Sequence, residues 1–389
     1  MEQANSYQLE SYSQKLESLY EELSKAGVSI RYSRFFTVSQ GTIYEFILEK
    51  PIPENVFNFL YTSFIKDNLM PVQYNYAGET ILRILPIKRR SRRKLQLILM
   101  IATFITVWFT GYGLTLGFLN ALRLSLDDLT IILWSTVYAL IFLIALGLHE
   151  LGHLFIAKGH RVPASGPYFI PAPPIQLGFL GTLGAVISME GLPPSRRILG
   201  LLGIMGPLSG FLIATFIGII GIFLSPTIPI ETAQQLVETG EATPLPFMPL
   251  MLILLSMLRT PPPNETFILH PLAFITFIIY IITFINLMPI GQLDGGHVVR
   301  TFTSSRIHMI IGTLSISIIA LTGLVLLLLG YGITIYLTLA FVLLIFKFIF
   351  GSRPHPGAAN NLSRISSRDY LILIIYIVLI ILTAPIPLI

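Results

Sequence analysis

The chain has 389 residues, of which 53% are hydrophobic and only 12% are charged, and its mean hydropathy is +0.76. Ordinary soluble domains carry about 25% charged residues, so this composition excludes such a domain as a description of the whole chain and indicates an integral membrane protein. The absence of cysteine excludes disulfides, cysteine-ligated zinc and thiol catalysis. The net charge of +5 does not indicate a nucleic-acid partner, because the basic residues lie between apolar segments.

Residues 1–88 are the part of the chain with soluble character. Apolar residues at helical spacing and runs of alternating polarity divide this region into short elements. They predict, in chain order, an amphipathic helix at 9–25, strands at 29–38 and 42–48 split by the sequence SQG, a helix from Pro53, and strands at 71–76 and 80–85. We therefore expect a small α+β domain with a docking, regulatory or stabilising role. The polar, acidic start of the chain lacks the pattern of a signal peptide.

The basic sequence KRRSRRK at 88–94 is typical of a cytoplasmic anchor beside a membrane-spanning helix. Apolar runs long enough to cross a bilayer, about 20 residues each, follow it. They predict seven spanning helices, at 95–117, 129–153, 198–224, 271–293, 307–329, 331–350 and 370–386. The segment 353–364 has the composition of a polar cytoplasmic loop.

The apolar run 247–258 is short and begins among prolines. If it does not cross the membrane, nearly all basic residues between the spans fall on the side of the N-terminal domain, and only Arg123 and Arg259 fall on the other side. The positive-inside rule then predicts a cytoplasmic N-terminal domain and an outside C-terminus. We expect 247–258 to be an interfacial or re-entrant piece on the far side.

The sequence HELGH at 149–153 ends the second predicted span. His149 and His153 lie one helical turn apart on one face, so both imidazoles can bind one Zn²⁺. Glu150 lies on the neighbouring face, where it can take a proton from a water molecule whose pKa zinc lowers to about 7. The alternative is that these residues only mark the helix end, but snorkelling uses lysine or arginine, and ionisable residues in a membrane are usually functional.

Catalytic zinc commonly has three protein ligands, so the two histidines leave the site incomplete. The span 271–293 ends on the predicted cytoplasmic side, as does HELGH, and leads into Asp294. Asp294 is therefore the preferred third ligand, and His297 is its rival, since Gly295 and Gly296 make a helix through His297 doubtful. Four further histidines are isolated beside apolar runs and are expected to lie at the interface: His160, His270, His308 and His355.

These motifs resemble those of the site-2 protease family of intramembrane zinc metalloproteases. HELGH at 149–153 and NLMPIGQLDGG at 286–296, which fits the family's NxxPxxxxDG form, carry the resemblance. The stretches at 167–189 and 203–210 are similar to the branch in plastids and many prokaryotes that lacks a PDZ insertion. The resemblance implies one zinc ion per chain held by His149, His153 and Asp294, with Glu150 as the catalytic base. It also implies cleavage of a substrate's transmembrane helix near the cytoplasmic face.

Cutting a transmembrane helix requires local unwinding, and each backbone group left unpaired in lipid costs several kcal/mol. The sequence GFLGTLGAVISM at 178–189 predicts a re-entrant β-hairpin whose open edge pairs with the substrate, an element that the resemblance also implies. The alternative is a loop that only packs under the site. Four residues are predicted to bind substrate, although the last could equally make an interhelical hydrogen bond: Gly181, Thr182, Gly184 and Asn286. The small residues Gly206 and Gly210 predict close packing against the helix that carries HELGH.

The sequence therefore predicts a polytopic α-helical membrane protein with about seven transmembrane helices, a re-entrant β-hairpin loop and a small N-terminal α+β cytoplasmic domain. The predicted organisation is a cytoplasmic domain at 1–88, a catalytic membrane core at 95–300 and additional C-terminal helices at 301–389. The predicted partners are the lipid bilayer and a membrane-protein substrate, with the oligomeric state left open. A metal-binding transporter and an inactive membrane scaffold are the alternatives, against which stand the few charges in the other spans and the presence of Glu150.

Overall fold

A computed structural model describes residues 2–38, 41–88, 92–331, 335–350 and 354–388. Residues 39–40 of the sequence SQG, residues 89–91 of the basic sequence, residues 332–334 of the sixth predicted span and residue 353 of the predicted loop lie outside the described residues.

The N-terminal region is a four-stranded antiparallel sheet with two helices. Its strand order is β1-β2-β4-β3. The elements are α1 (Glu2–Lys25), β1 (Ile30–Val38), β2 (Gly41–Leu48), α2 (Glu54–Lys66), β3 (Leu69–Tyr76) and β4 (Glu79–Pro86). Their order and type match the elements predicted from the alternating and helical patterns of the sequence.

One face of this sheet carries the core of the N-terminal region. Leu19 and Leu23 of α1 and Phe57 of α2 pack against Phe46 of β2 and Leu82 of β4, and each of the five is at most 1% exposed. The period of two along each strand places these apolar side chains on the same face. Burial of an apolar face against two helices is what allows such a small sheet to form.

The rest of the chain is mainly helical. The helices are α3 (Arg93–Ala121), α4 (Asp128–Gly159), α5 (Arg196–Leu224), α6 (Ile230–Glu238), α7 (Leu250–Ser256), α8 (Pro271–Asn286), α9 (Asp294–Phe302), α10 (Ser305–Leu328), α11 (Ile335–Phe350) and α12 (Tyr370–Thr383). Short strands connect them: β5 (Ala164–Pro171), β6 (Thr182–Met189), β7 (Thr227–Pro229), β8 (Phe247–Pro249), β9 (Glu265–Phe267) and β10 (Pro385–Pro387). A second core forms where α4, α5, α8 and α12 pack together.

Four helices in the described part of the chain are long and apolar enough to cross a membrane: α3, α4, α5 and α10. Helices also form at the other three predicted spans, but α8 and α11 have 16 residues and α12 has 14. These lengths are below the ~20 residues that a helix perpendicular to the bilayer needs. The count of seven spanning helices therefore stays a prediction.

The predicted span 271–293 is interrupted. Helix α8 ends at Asn286, a turn follows, and α9 begins at Asp294. Pro289 lies in this turn, where its missing N–H and its ring disfavour continuation of the helix. The predicted span 271–293 is therefore not one continuous helix, and Asp294 begins a new helix.

The run 247–258 forms strand β8 and the seven-residue helix α7. Strand β8 pairs with β10 near the end of the chain, with Met248 opposite Ile386. A helix of this length spans only about 10 Å, so α7 alone is too short to cross a bilayer. The side of the membrane on which it lies stays a prediction.

A β-hairpin forms in the glycine-rich region, but its first strand, β5, lies before the predicted stretch 178–189. Strand β6 pairs in antiparallel fashion with β5, which begins at Ala164. Strand β5 is its one partner among the described residues.

The segment 354–363, part of the stretch expected to be a polar loop, packs into the N-terminal region instead. Gln73 of the edge strand β3 donates its backbone N–H to the Ala359 carbonyl (2.7 Å) and accepts from the Asn361 N–H (3.3 Å). The Ala359 N–H donates to the Pro193 carbonyl at 2.8 Å, which ties the segment to the loop before α5. The unpaired edge of a sheet is a liability, and here the distant segment covers it. The expectation of a polar surface loop is corrected.

We expect Asn360→Ala to destabilise the contact between the N-terminal region and the helices. The Asn360 side-chain oxygen accepts from the Gln73 amide at 3.2 Å and from the Leu362 N–H at 3.1 Å, and the side chain is 2% exposed. Leaving these buried donors unpaired costs about 1–3 kcal/mol. Thermal unfolding in detergent should show a lower midpoint and faster proteolysis between residues 88 and 93.

The matched control is Asn58→Ala, at an exposed position on α2. Its midpoint should stay at or slightly above the wild-type value, because alanine favours helix. Equal midpoints for both variants would contradict the docking role of the segment.

Candidate metal centre

Helix α4 positions two histidines on one face. Asp127 caps its first turn by accepting from the Thr130 N–H, and the helix then runs for 32 residues. His149 and His153 follow near its end, 3% and 6% exposed, with ring centroids 5.1 Å apart. The spacing of four residues places both rings side by side on consecutive turns.

Helix α5 fits against these rings because its contact face is glycine. A Cβ at Gly206 would lie 1.9 Å from Nε2 of His153, and one at Gly210 would lie 2.8 Å from Nδ1 of His149. From the other side, a Cβ at Gly152 of α4 would lie 2.5 Å from the Met205 carbonyl oxygen. The predicted close packing of the small-residue face against the HELGH helix is confirmed.

Helix α9 brings Asp294 to the two histidines. Its Oδ2 lies 3.3 Å from Nε2 of His149, and its Oδ1 lies 3.3 Å from Nε2 of His153. Gly295 and Gly296 are both helical, so the expectation that they disrupt the helix is wrong. A Cβ at Gly295 would lie 1.9 Å from the Leu287 carbonyl oxygen, and one at Gly296 would lie 2.5 Å from that of Gly291. Only glycine lets α9 start this close to the preceding turn, which outweighs its helix-propensity cost of about 1 kcal/mol.

The three side chains form a group suited to a metal ion. One ligand atom from each of His149, His153 and Asp294 lies within 4.8 Å of the others, and no other such group occurs among the described residues. Nδ1 of His153 lies 2.7 Å from the Leu202 carbonyl oxygen, which can only accept. His153 therefore carries its proton on Nδ1 and offers the Nε2 lone pair to the group. Two imidazole nitrogens and one carboxylate are a donor set that zinc uses with three protein ligands.

His297, the rival ligand, lies outside this group. Its Nδ1 is 2.9 Å from Nε2 of His355, at the start of the segment that docks on β3. His308 packs its ring 5.4 Å from that of His355. The expectation that His308 and His355 are isolated is therefore wrong. His355 lies 58 positions after His297 in the chain. No local sequence pattern relates these histidines, so their contact could not be predicted.

Glu150 and two residues of the metal group, His153 and Asp294, border one cavity of about 590 Å³. The Glu150 side chain is 4% exposed, and its carboxylate interacts with the backbone amide of Ile187 on β6. Met70 of the N-terminal sheet also lines the cavity. The remaining walls are mainly residues 185–193 of the hairpin and the following loop, the turn at 292–294, and residues 355–357.

Asn286 is the one predicted substrate-binding residue that lines this cavity. Gly181, Thr182 and Gly184 instead shape the hairpin. The Gly181 carbonyl accepts from Thr106 of α3 at 2.6 Å, and the Thr182 hydroxyl accepts from the Gly184 N–H at 3.0 Å. Their direct contact with a substrate stays a prediction.

Sequence reasoning missed two other parts of the cavity wall, Met70 and residues 355–357. Neither carries a local signal, because their position depends on contacts between distant parts of the chain.

We expect Gly206→Ala to weaken Zn²⁺ binding, because the added methyl group would displace the His153 ring. Loss of support for a ligand typically lowers metal affinity by about 10–100-fold. Calorimetric Zn²⁺ titration of the detergent-purified protein measures this affinity. Gly147→Ala on the same helix pair is the control, since its Cβ would meet only Phe169, at 3.6 Å. If both variants bind Zn²⁺ like the wild type, the proposed steric constraint is wrong.

Comparison with known proteins identifies the region that contains the group. The profile of peptidase family M50 matches residues 137–330. The chain is 25% identical over 200 residues to the probable zinc metalloprotease EGY2, chloroplastic, of Arabidopsis thaliana, a match covering 51% of this chain and 34% of that protein. It is 31% identical over 153 residues to the probable zinc metalloprotease EGY1, chloroplastic, of the same plant, covering 39% and 27%. The chain thus spans about a third of the length of these curated relatives.

A solved structure titled Site-2 Protease from Methanocaldococcus jannaschii shares 22% sequence identity, with 62% of this chain and 87% of that chain covered. The TM-score of this superposition is 0.28, too low to support a structural argument. The family match includes α9 and the part of α4 that carries His149 and His153, and these supply the metal group. The resemblance found in the sequence is confirmed, and through residues 137–330 the chain belongs to peptidase family M50.

Proposed function

We propose that this protein is an intramembrane zinc metalloprotease that hydrolyses a peptide bond in or near the transmembrane helix of a membrane-protein substrate. One observation carries the proposal: two imidazoles and a carboxylate converge beside the buried Glu150, at the wall of a cavity. Membership of peptidase family M50 and the printed names of the plant relatives support it. The four long apolar helices in the described part of the chain support a setting within the membrane.

In this proposal one zinc ion per chain would be held by three residues. They are His149 and His153 of the HExxH sequence and Asp294 in the first turn of α9. Zinc supplies Lewis acidity, which makes a water molecule acidic near neutral pH and polarises a carbonyl group. The protein fixes the ligands through the Leu202 carbonyl and the glycine face of α5. The residues themselves therefore orient the donors before any substrate arrives.

Glu150 acts as the general base and then as the general acid. It takes one proton from the attacking water while the new C–O bond forms, and it gives that proton to the nitrogen as the C–N bond breaks. Its position next to His149 on the same helical turn keeps its carboxylate at the edge of the metal group, and its burial limits exchange with bulk water. Such proton transfer contributes about 10²–10⁴-fold to a rate.

Strand β6 receives the substrate as an added strand. One edge of β6 pairs with β5, and residues 185–188 of β6 line the cavity that contains Glu150. An unwound substrate segment regains its backbone hydrogen bonds on the free edge, which offsets the several kcal/mol per group that unpaired backbone costs in lipid. Asn286 lines the same cavity and supplies an amide for the substrate backbone.

The proposed topology has seven spanning helices, a cytoplasmic domain at 1–88, a catalytic membrane core at 95–300 and additional helices at 301–389. The N-terminal domain and the metal centre lie at the cytoplasmic face. The distribution of basic residues supports this orientation. The cavity supports the placement of the site at that face, because Met70 of the N-terminal sheet and Asp294 both line it.

We expect Glu150→Gln to retain about one zinc per chain and to lose cleavage by about 10²–10⁴-fold, since the amide cannot take a proton. Zinc content by mass spectrometry and cleavage of a detergent-solubilised peptide with one transmembrane helix measure the two effects. A transporter or an inactive scaffold would show no chelator-sensitive cleavage in the wild type. A Glu150→Gln enzyme that cuts at the wild-type rate would exclude Glu150 as the base.

We expect Asp294→Ala to lose zinc, because it removes one of the three donors. The matched control is His297→Ala, which should keep its zinc since His297 lies outside the donor group. The opposite result, full zinc in Asp294→Ala and none in His297→Ala, would reverse the assignment of the third ligand.

A further inference from the structure

A second set of histidines lies behind the metal group. The ring of His355, in the docked segment, contacts two others. Its centroid lies 4.9 Å from that of His297 on α9 and 5.4 Å from that of His308 on α10. His355 and His308 are 4% and 2% exposed. The proposed proteolytic mechanism uses none of the three.

The backbone fixes the tautomer of His355. The Gly357 N–H can only donate, and it lies 3.0 Å from Nδ1 of His355. Nδ1 is therefore an unprotonated acceptor, and the proton of the neutral ring lies on Nε2. Burial, followed by the nearby His297, His308 and Arg300, holds the pKa of His355 well below its usual range, which agrees with a neutral ring.

The tautomer of His355 in turn fixes that of His297. Nε2 of His355 lies 2.9 Å from Nδ1 of His297. Because His355 carries its proton on Nε2, it donates, and Nδ1 of His297 accepts. The neutral His297 ring must then carry its own proton on Nε2. The two hydrogen bonds thus run in one direction: Gly357 donates to His355, and His355 donates to His297.

The ring of His297 borders the cavity that contains Glu150 and Asp294. It stands one turn after Asp294 on α9 and is partly exposed. Among the described residues, Nε2 of His297 has no hydrogen-bond partner. It is also not one of the fully buried polar atoms that lack a partner. A donor held at the cavity wall next to a metal ligand is in a position to meet a substrate.

We infer that His297 presents a fixed Nε2–H to the carbonyl oxygen of the scissile peptide bond, and that His355 is the positioning residue that fixes this donor. The inference rests on the proposed proteolytic function. As water adds to the carbonyl carbon, the C=O electron pair moves to the oxygen, and a hydrogen bond to that oxygen strengthens. A donor oriented in advance lowers the barrier without reorganisation. Asn286 would be the second polar group on the same cavity wall.

The tautomer is tested first, without reference to activity. Protein labelled with ¹⁵N-histidine should show a neutral Nε2–H ring that disappears in His297→Gln and is thereby assigned to His297. In His355→Leu this ring should shift toward a mixture of tautomers. In His355→Gln, whose amide nitrogen can replace the Nε2 donor, the wild-type tautomer should persist. An Nδ1–H tautomer of His297 in the wild type would overturn the inference.

Kinetics of zinc-loaded enzyme with the single-helix peptide test the contact itself. His297→Leu should lower kcat by about 10²–10³-fold, the range for loss of one such donor, with KM and zinc content unchanged. His297→Gln, which keeps a donor at the Nε2 position, should retain part of kcat. His355→Leu should lose less than His297→Leu, and His355→Gln should restore the rate.

Wild-type kcat in His297→Leu would overturn the inference, and so would loss of zinc in parallel with activity, since the ring would then only support the metal group. An inactive wild type would refute the proposed proteolytic function and with it the substrate contact, whereas the ¹⁵N spectrum would still test the donor chain. The failures of the two proposals are therefore distinguishable.

Discussion

The site depends on the close approach of α5 to two other helices. Gly206 and Gly210 lie against the imidazoles of α4, and Gly203 lies against α9, where a Cβ would come within 2.6 Å of the Asp294 carbonyl oxygen. Helix α5 is therefore a thin spacer between the helix that supplies the histidines and the helix that supplies the carboxylate. A larger side chain on this face would collide with the histidine rings or with the backbone of Asp294.

This packing also explains how polar groups persist inside an apolar bundle. Buried imidazoles and carboxylates lose hydration, and each needs a partner to offset the loss. His153 has the Leu202 carbonyl, both histidines have Asp294, and His297 has His355. The polar side chains near the cavity are thus paired in a network in which few atoms remain free, and one of these free atoms, Nε2 of His297, borders the cavity.

Much of this arrangement was predictable from the sequence, because it follows from local patterns. The alternating and helical periods gave the six elements of the N-terminal region, and the spacing of HELGH placed His149 and His153 on one face. The preference for Asp294 agrees with the geometry, but the argument used against His297 was wrong. Gly295 and Gly296 continue the helix, since tight contact with the turn at 287–291 matters more there than helix propensity.

Other features could not be read from local patterns. The docking of residues 354–363 on β3 depends on a strand edge almost 300 positions earlier, and small residues such as Ala358 and Ala359 give no periodic signal. The contact between His297 and His355 follows from that docking. Substrate contact was predicted for Gly181, Thr182 and Gly184. In the structure these residues make hydrogen bonds within the hairpin and with α3.

The pairing of Gln73 with Asn360 has a consequence for biosynthesis. The two residues are 287 positions apart, so the ribosome completes the first sheet long before the segment that covers its edge emerges. At a synthesis rate of about 5–20 residues per second, the outer backbone groups of β3 stay unpaired for roughly 15–60 s. Throughout that interval the nascent chain offers a template for another strand. The edge of β3 is therefore open to mispairing until the segment that covers it has emerged.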